Sequence, residues 1–447
     1  MPPDSPSRPV ALSLRIHCRL ATRLPGLLLR SARERLRALA SAAVPVDSID
    51  AVDAVAPTRQ LLIDVSIIAA HDAGTGIQRV VRRLAEGLLR RPPPGYAVRL
   101  VRATRKLPYR YAGDYAKTLA SDAAPAVHEP QAHPDGPLVV RAGDLFVGLD
   151  LASRIVPRRM DDLLAMKAAG ARVTFVVYDL LPAVHPHWFT RRASRDFRRW
   201  LSFLGLHADA LFCISATVAG ETRDWLSRRF GLAGALPLIG DFRLGSDFTT
   251  PAPRTPKAPD PAGMLSLLMV GTVEPRKGHA AVLDAMDLLW RRGAPIALTI
   301  AGRPGWRIDA LAERLRNHPE AGQRLTWLPA IDDAALSRRY DSADGLIMAS
   351  QAEGFGLPLV EAALHGLPIL ARDIPVFREV AGEHARYFAS GSAAQLADAI
   401  ERWAAELRAG TVPDSRGLPL ATWDDSTARF TALLQRAAAP APDESRG

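Results

Sequence analysis

The chain has 447 residues, 48% hydrophobic and 23% charged, which is globular composition and excludes a disordered or fibrous protein. Two cysteines, Cys18 and Cys213, are too few for a disulfide framework or a four-ligand zinc site, and no apolar run approaches the ~18 residues that a membrane-spanning helix needs. Lys+Arg 57 against Asp+Glu 47 gives a net charge of +10, but the surplus is local. Residues 8–45 carry eight arginines (Arg8, Arg15, Arg19, Arg23, Arg30, Arg33, Arg35 and Arg37) against Glu34 alone. The remainder is nearly balanced, which argues against a nucleic-acid-binding face.

Residues 1–57 read as a basic, partly helical arm. Leu12, Leu20, Leu24, Leu27 and Leu28 form an apolar stripe with arginines opposite. Such an arm either packs on the body or lies against an anionic membrane surface. Leu27–Leu29 is too short for the apolar core of a signal peptide.

The body opens with a strand at Gln60–Val65, a glycine-bearing turn Asp72-Ala73-Gly74-Thr75-Gly76, and a helix over Ile77–Arg90. Ile77, Val80, Val81, Leu84 and Leu88 recur there at helical spacing. Strands follow at Ala97–Val101, Leu145–Leu149, Val173–Tyr178 and Ala210–Ile214, with helices over Ser153–Ala169 and Thr217–Phe230 between them. Residues 249–263, TTPAPRTPKAPDPAG, are too rich in proline for a helix or an inner strand and read as a stiff linker.

A second alternation begins at the apolar run Leu265–Val270. It continues through helix 278–291, strand Ile296–Ala301, helix Ile308–Asn317, strand Arg324–Leu328 and helix Asp333–Ser342. Strand Gly345–Met348, helix Leu357–His365 and strand Pro368–Ala371 complete it. The pattern predicts an α/β protein of two Rossmann-like doubly wound domains, 58–248 and 264–410, facing a cleft. A C-terminal region, 411–447, crosses back to the first domain. The adjacent pairs Asp161-Asp162 and Asp332-Asp333 read as helix caps.

The densest chemistry lies in Glu353-Gly354-Phe355-Gly356-Leu357-Pro358-Leu359-Val360-Glu361-Ala362. A strand runs into a glycine-flanked loop and then a helix. Gly354 and Gly356 let the backbone approach a ligand, and the first amides of the helix point at an anion. Glu353 sits on the loop and Glu361 about one turn into the helix, where carboxylates can accept hydrogen bonds from vicinal hydroxyls. Arg276 and Lys277 stand at a helix start, where the dipole disfavours cations unless an anion is bound, so the pair reads as a phosphate contact. Lysine is rare, occurring at five positions, which adds weight to Lys277.

These segments resemble the retaining glycosyltransferases of family 4, which have the GT-B fold. The resemblance rests on Glu353 and Glu361 in their EGFGLPLVEA setting and on Val270-Gly271-Thr272-Val273-Glu274-Pro275-Arg276-Lys277-Gly278. It rests also on Ile300-Ala301-Gly302, Trp327–Ile331, Phe212–Ser215 and Leu244–Phe248. Ile63-Asp64-Val65 and Thr75-Gly76-Ile77-Gln78-Arg79 are similar to bacterial members that build surface polysaccharides. The set spans roughly residues 60–380.

The resemblance implies hexose transfer from a nucleoside-diphosphate sugar with retention of configuration, without a metal or other cofactor. The leaving phosphate would help take the acceptor proton in a front-face displacement. It implies that Arg276, Lys277 and Glu361 bind the donor, with backbone amides at Phe355, Gly356 and Leu357 and the turn at Gly74 and Gly76. Glu353 would hold the hexose, and Asp179 would join the reaction centre. The N-terminal motifs lean the donor toward GDP-mannose. A lipid-linked glycan acceptor would place the protein in the cytoplasm, at the inner membrane face, with residues 8–45 as the contact. Two positions depart from the family. Thr272 stands where many members have arginine, leaving more phosphate work to Arg276, and Tyr178 stands where many have histidine before the aspartate. His185 and His187 are nearby alternatives. A nucleotide-sugar epimerase of the same fold and a non-catalytic basic binding protein are the competing readings.

Overall fold

A computed structural model describes residues 12–23, 58–122, 135–231, 236–246 and 263–439, with Ala32, Arg35, Leu36 and Ala38. All of the proline-rich segment except Gly263 lies outside the described residues, as do most of the arm and residues 440–447. The chain divides into two compact units, residues 1–244 with 423–447, and residues 245–422.

In the first unit, α1 (Leu12–Arg23) precedes β1 (Arg59–Asp64), α2 (Gly76–Arg90), β2 (Tyr96–Arg102), β3 (Arg110–Tyr111) and α3 (Gly113–Asp122). Then come β4 (Leu145–Gly148), α4 (Met160–Ala168), β5 (Arg172–Val177), the single turn α5 (Leu181–Val184) and α6 (Arg191–His207). β6 (Ala210–Cys213), α7 (Ala216–Phe230) and β7 (Leu238–Asp241) follow. The sheet order is β3-β2-β1-β4-β5-β6-β7, all parallel except β3. β4 to β6 are buried except at Arg172, as apolar runs such as Leu145-Phe146-Val147 demand when helices cover both faces.

The predicted helix over Ser153–Ala169 is two pieces. A 3-10 turn, Val156–Arg158, contains Pro157, and α4 starts only at Met160. Asp161 and Asp162 do not cap α4. Asp162 accepts the Tyr109 amide at 3.0 Å, and Asp161 lies 3.7 Å from Arg15. Asp332 does cap its helix, accepting the Ala335 amide at 2.7 Å.

The described part of the arm packs on the body. Leu14, Cys18, Ala32 and Leu36 are buried in the first unit's core, and α1 contacts α6. Leu20 of the predicted stripe is instead 43% exposed, beside Ile16 at 50%.

The C-terminal helix α14 (Trp423–Ala438) belongs to this unit. Phe430 packs against Phe212 and Phe242 with ring centroids 5.6 and 5.0 Å away. A side chain at Gly87 of α2 would meet Thr427 Oγ1 at 2.4 Å, so glycine sets how closely α2 and α14 approach.

The second unit runs β8 (Leu265–Val270), α8 (His279–Arg291), β9 (Ile296–Ala301), α9 (Asp309–Arg316), β10 (Leu325–Leu328), α10 (Asp333–Ser342) and β11 (Gly345–Met348). It continues through α11 (Leu357–Leu364), β12 (Ile369–Arg372), α12 (Pro375–Ala381), β13 (Arg386–Phe388) and α13 (Ala393–Ala409). Its parallel sheet has the order β10-β9-β8-β11-β12-β13. Strand order reverses between β8 and β11, and in the first unit between β1 and β4. Ligands of doubly wound sheets bind beyond the carboxyl ends of the strands at such a reversal.

Candidate active site

The loops that follow β8 and β11 meet at the second unit's reversal. After β8 the chain turns through a 3-10 segment, Pro275–Lys277, and enters α8 through Gly278. Gly278 has φ 77°, and an added Cβ would lie 2.4 Å from the carbonyl oxygen of Ala349 at the end of β11. Only glycine permits both the conformation and the approach. The Gln351 amide donates to the Arg276 carbonyl at 2.7 Å and ties the loops together.

The side chains converge accordingly. Arg276 Nη1 donates to Glu353 Oε2 at 2.6 Å and to the Ala352 carbonyl at 3.1 Å. Arg276 Nη2 lies 2.6 Å from Glu274 Oε1, and Lys277 Nζ pairs with Glu353 Oε1. The Glu353 side chain is 8% exposed, Arg276 15% and Lys277 14%. Burial by itself would raise the Glu353 carboxyl, but the charges of Arg276 and Lys277 and their hydrogen bonds outweigh it and hold the pKa at about 2. The carboxylate is therefore ionised at any physiological pH. Two cations and two carboxylates balance in charge within this cluster.

Gly356, with φ 105°, is the N-cap of α11, and neither it nor Gly278 has a side chain to cap its helix. Two sets of first-turn amides thus open beside the cation pair. Phe355 is buried at 4% exposure, so only its backbone can serve a ligand. Leu357 starts α11. Glu361 lies one turn further on, and Tyr340 of α10 donates its hydroxyl to Glu361 Oε2 at 2.6 Å. Tyr340 in turn stacks on His365, centroids 5.1 Å apart and rings 11° from parallel.

In the first unit, Gly74 (φ 62°) lies on the turn between β1 and α2, and Gly76 is the first residue of α2, beside that unit's reversal. Gln78 holds this turn. Its side-chain oxygen accepts the Ala73 amide at 2.9 Å, and its Nε2 donates to the His71 carbonyl at 2.7 Å. Thr75 and Gln78 complete a capping box. Asp150, after β4, accepts the amides of Ile67 and Ile68 at 2.7 Å each and fixes the segment just before.

Asp179 follows β5 and accepts the Leu181 amide at 3.0 Å, as a turn cap does. Tyr178, just before Asp179, points into the core and donates to the Leu149 carbonyl at 2.7 Å. The His185 ring lies 4.4 Å from that of Trp188, tilted by 33°, and partial burial together with His187 lowers its pKa.

Three contributors were not visible in the motifs. Glu274 lies inside the quoted β8 loop, yet its pairing with Arg276 depends on the fold. Tyr340 sits 21 residues before Glu361 on another helix. His279, the first residue of α8, is 2% exposed with Nδ1 unpaired, and burial with the Lys277 charge lowers its pKa to about 3, so it is neutral.

Residues 256–408 match the model of the glycosyl transferases group 1. The chain is 41% identical over 380 residues to the serotype-specific mannosyltransferase WbdA of Escherichia coli, covering 83% of this chain and 44% of that protein. It is also 33% identical over 120 residues to the O-antigen chain mannosyltransferase B of Escherichia coli, covering 26% of this chain and 30% of that one. Among solved structures, a sucrose-phosphate synthase from Thermosynechococcus elongatus aligns with a TM-score of 0.56 at 18% identity, over 85% of this chain and 98% of that one. Anabaena HepE in complex with UDP-glucose aligns with a TM-score of 0.53 at 14% identity, again over 85% and 98%.

The fold class is GT-B. By sequence the chain carries a group 1 glycosyl transferase domain and resembles the O-antigen mannosyltransferases. It spans less than half the length of WbdA.

Proposed function

We propose that the chain transfers a hexose from a nucleoside-diphosphate sugar to a growing surface polysaccharide, with retention of configuration. The observation that carries this is the convergence of Arg276, Lys277 and Glu353 beside the uncapped starts of α8 and α11. The diphosphate takes donors from Lys277, Arg276 and the helix amides, which stabilise charge on the leaving phosphate. Glu361, oriented by Tyr340, accepts from the ribose hydroxyls, and Glu353 accepts from the hexose. Gly74, Gly76 and Asp179 serve the reaction from the first unit, which takes the acceptor. The departing phosphate accepts the acceptor proton, so no side-chain base and no metal is assigned.

The donor is proposed to be GDP-mannose, supported by the mannosyltransferase activity that the names of the Escherichia coli relatives carry. Product formation from GDP-mannose, UDP-glucose and UDP-N-acetylglucosamine should be compared with an O-antigen-type acceptor. Turnover confined to a UDP-sugar contradicts the donor. Nucleotide sugar consumed without acceptor, giving an epimer, contradicts transfer itself.

The acceptor is proposed to be a lipid-linked glycan, and residues 8–45 to touch the anionic inner face of the membrane. Exposed Ile16 and Leu20 beside Arg19 support this contact. Arg19→Glu with Leu20→Ser should lower sedimentation with phosphatidylglycerol vesicles, and unchanged sedimentation removes the contact.

A further inference from the structure

Away from the residues considered so far, the first unit holds an open cavity of about 670 Å³ between α6 and α7, lined also by Ala183 of α5. Five arginines line it. Arg195, Arg198 and Arg199 come from α6, and Arg228 and Arg229 from α7, with Ser202 and Trp225 between them.

All five arginines are exposed, and two of them are held by hydrogen bonds. Arg198 Nε donates to the Ser194 carbonyl at 3.3 Å, Arg229 Nε to Ser202 Oγ at 3.4 Å, and Ser202 Oγ to the Arg198 carbonyl at 2.9 Å. Each of these two arginines is held at Nε, while its terminal nitrogens make no hydrogen bond to a described residue.

Charge compensation is thin. The one carboxylate in contact is Asp196, 3.4 Å from Arg195, and it is also approached by Arg154 at 3.5 Å and Arg192 at 3.8 Å. Among the described residues, Arg198, Arg199, Arg228 and Arg229 have no carboxylate within ion-pair distance. The last turn of α7 favours Arg228 and Arg229 through its dipole. The start of α6 has the opposite preference, yet it carries Arg191, Arg192 and Arg195 and no acidic residue in its first turn. Like charges gathered on that end of a helix are relieved by a bound anion.

We propose that this cavity binds a phosphate-bearing anion, such as a diphosphate or an anionic lipid headgroup, separately from any sugar-nucleotide site in the second unit. Planar guanidinium groups on facing helices match phosphate oxygens in bidentate fashion, and the indole of Trp225 gives the cavity an apolar wall. A lipid headgroup and a soluble phosphorylated compound share this chemistry.

The full chain should be treated with phenylglyoxal, and the modification of each arginine followed by peptide mass spectrometry. This reads the cavity independently of Arg276. Inorganic pyrophosphate at ten times its Kd should slow labelling of Arg198, Arg199, Arg228 and Arg229 about tenfold, the factor that occupancy of one site gives. Exposed Arg292 serves as the reference. Protection by phosphatidylglycerol vesicles, but not by phosphatidylcholine vesicles or pyrophosphate, assigns the site to a lipid headgroup. Protection by pyrophosphate assigns it to a phosphate group accessible from solution. In the Arg198→Gln/Arg228→Gln variant, which leaves the helices' apolar faces intact, protection of Arg199 and Arg229 should disappear. No protection by either probe, equal protection by sodium chloride at matched ionic strength, or protection that survives in the variant would overturn the proposal.

Discussion

The Tyr340 hydroxyl donates to Glu361 Oε2 at 2.6 Å and links α10 to α11 across the second unit. The bond helps fix the direction of the Glu361 carboxylate on its helix. Tyr340→Phe keeps the ring and its stacking on His365 but removes the donor. Nucleotide affinity should fall roughly tenfold, as loss of a hydrogen bond to a charged group implies. Isothermal titration with GDP checks this. The melting temperature should change little, which separates orientation from folding.

Glu353 makes the second unit acid-sensitive. Its folded pKa of about 2 lies below the unfolded value of 4.5, so its contribution is complete above 4.5 and is lost as pH falls toward 2. The shift corresponds to about 3 kcal/mol. Glu353→Gln should cost about that amount at pH 7, by leaving Arg276 and Lys277 without their shared partner, and much less at pH 2. Urea titrations at the two pH values measure the difference. An equal loss at both would contradict the pairing.

Asp64 has the opposite sign. Complete burial, opposed by hydrogen bonds from Ser66 and reinforced by Asp150, raises its pKa from 3.8 to about 7, and it accepts the Tyr109 hydroxyl at 2.8 Å. Between pH 3.8 and 7 the folded state keeps a proton that the unfolded state has lost, so stability falls as pH rises through this window. Asp64→Asn, which cannot ionise, should flatten the first unit's stability over that range. A mutant that keeps the wild-type slope would place the titration elsewhere.

Gly302 tests the backbone geometry that supports the β8 loop. A Cβ there would lie 1.9 Å from the Gly271 carbonyl oxygen, a backbone atom that cannot swing aside. Gly302→Ala should destabilise the second unit by about 3 kcal/mol or more. Gly95→Ala, where no atom stands within 4 Å but φ is +80°, should show only the smaller cost of a strained backbone, about 1 kcal/mol.

The alternation of apolar runs with amphipathic stretches made both sheets legible, because a strand buried on both faces leaves a run such as Leu145-Phe146-Val147 in the chain. Arg276 and Lys277 stood out because cations oppose a helix start. Helix α6 did not, because five arginines and one aspartate crowd its first nine residues and hide Phe197, Trp200, Leu201 and Leu204. Tyr340 was hidden for another reason. A pair made across elements leaves no spacing to read. Asp161 and Asp162 misled because an acidic pair at a helix start resembles a cap, whereas one partner is a backbone amide 53 residues away.

The most direct test is GDP affinity in Lys277→Gln, which keeps most of the side chain's length and removes its charge. Loss of one charged phosphate contact should weaken GDP binding by about 30-fold or more, while the chain stays folded by circular dichroism. Unchanged affinity for GDP in a folded Lys277→Gln protein would contradict a diphosphate seated between the β8 loop and the start of α11.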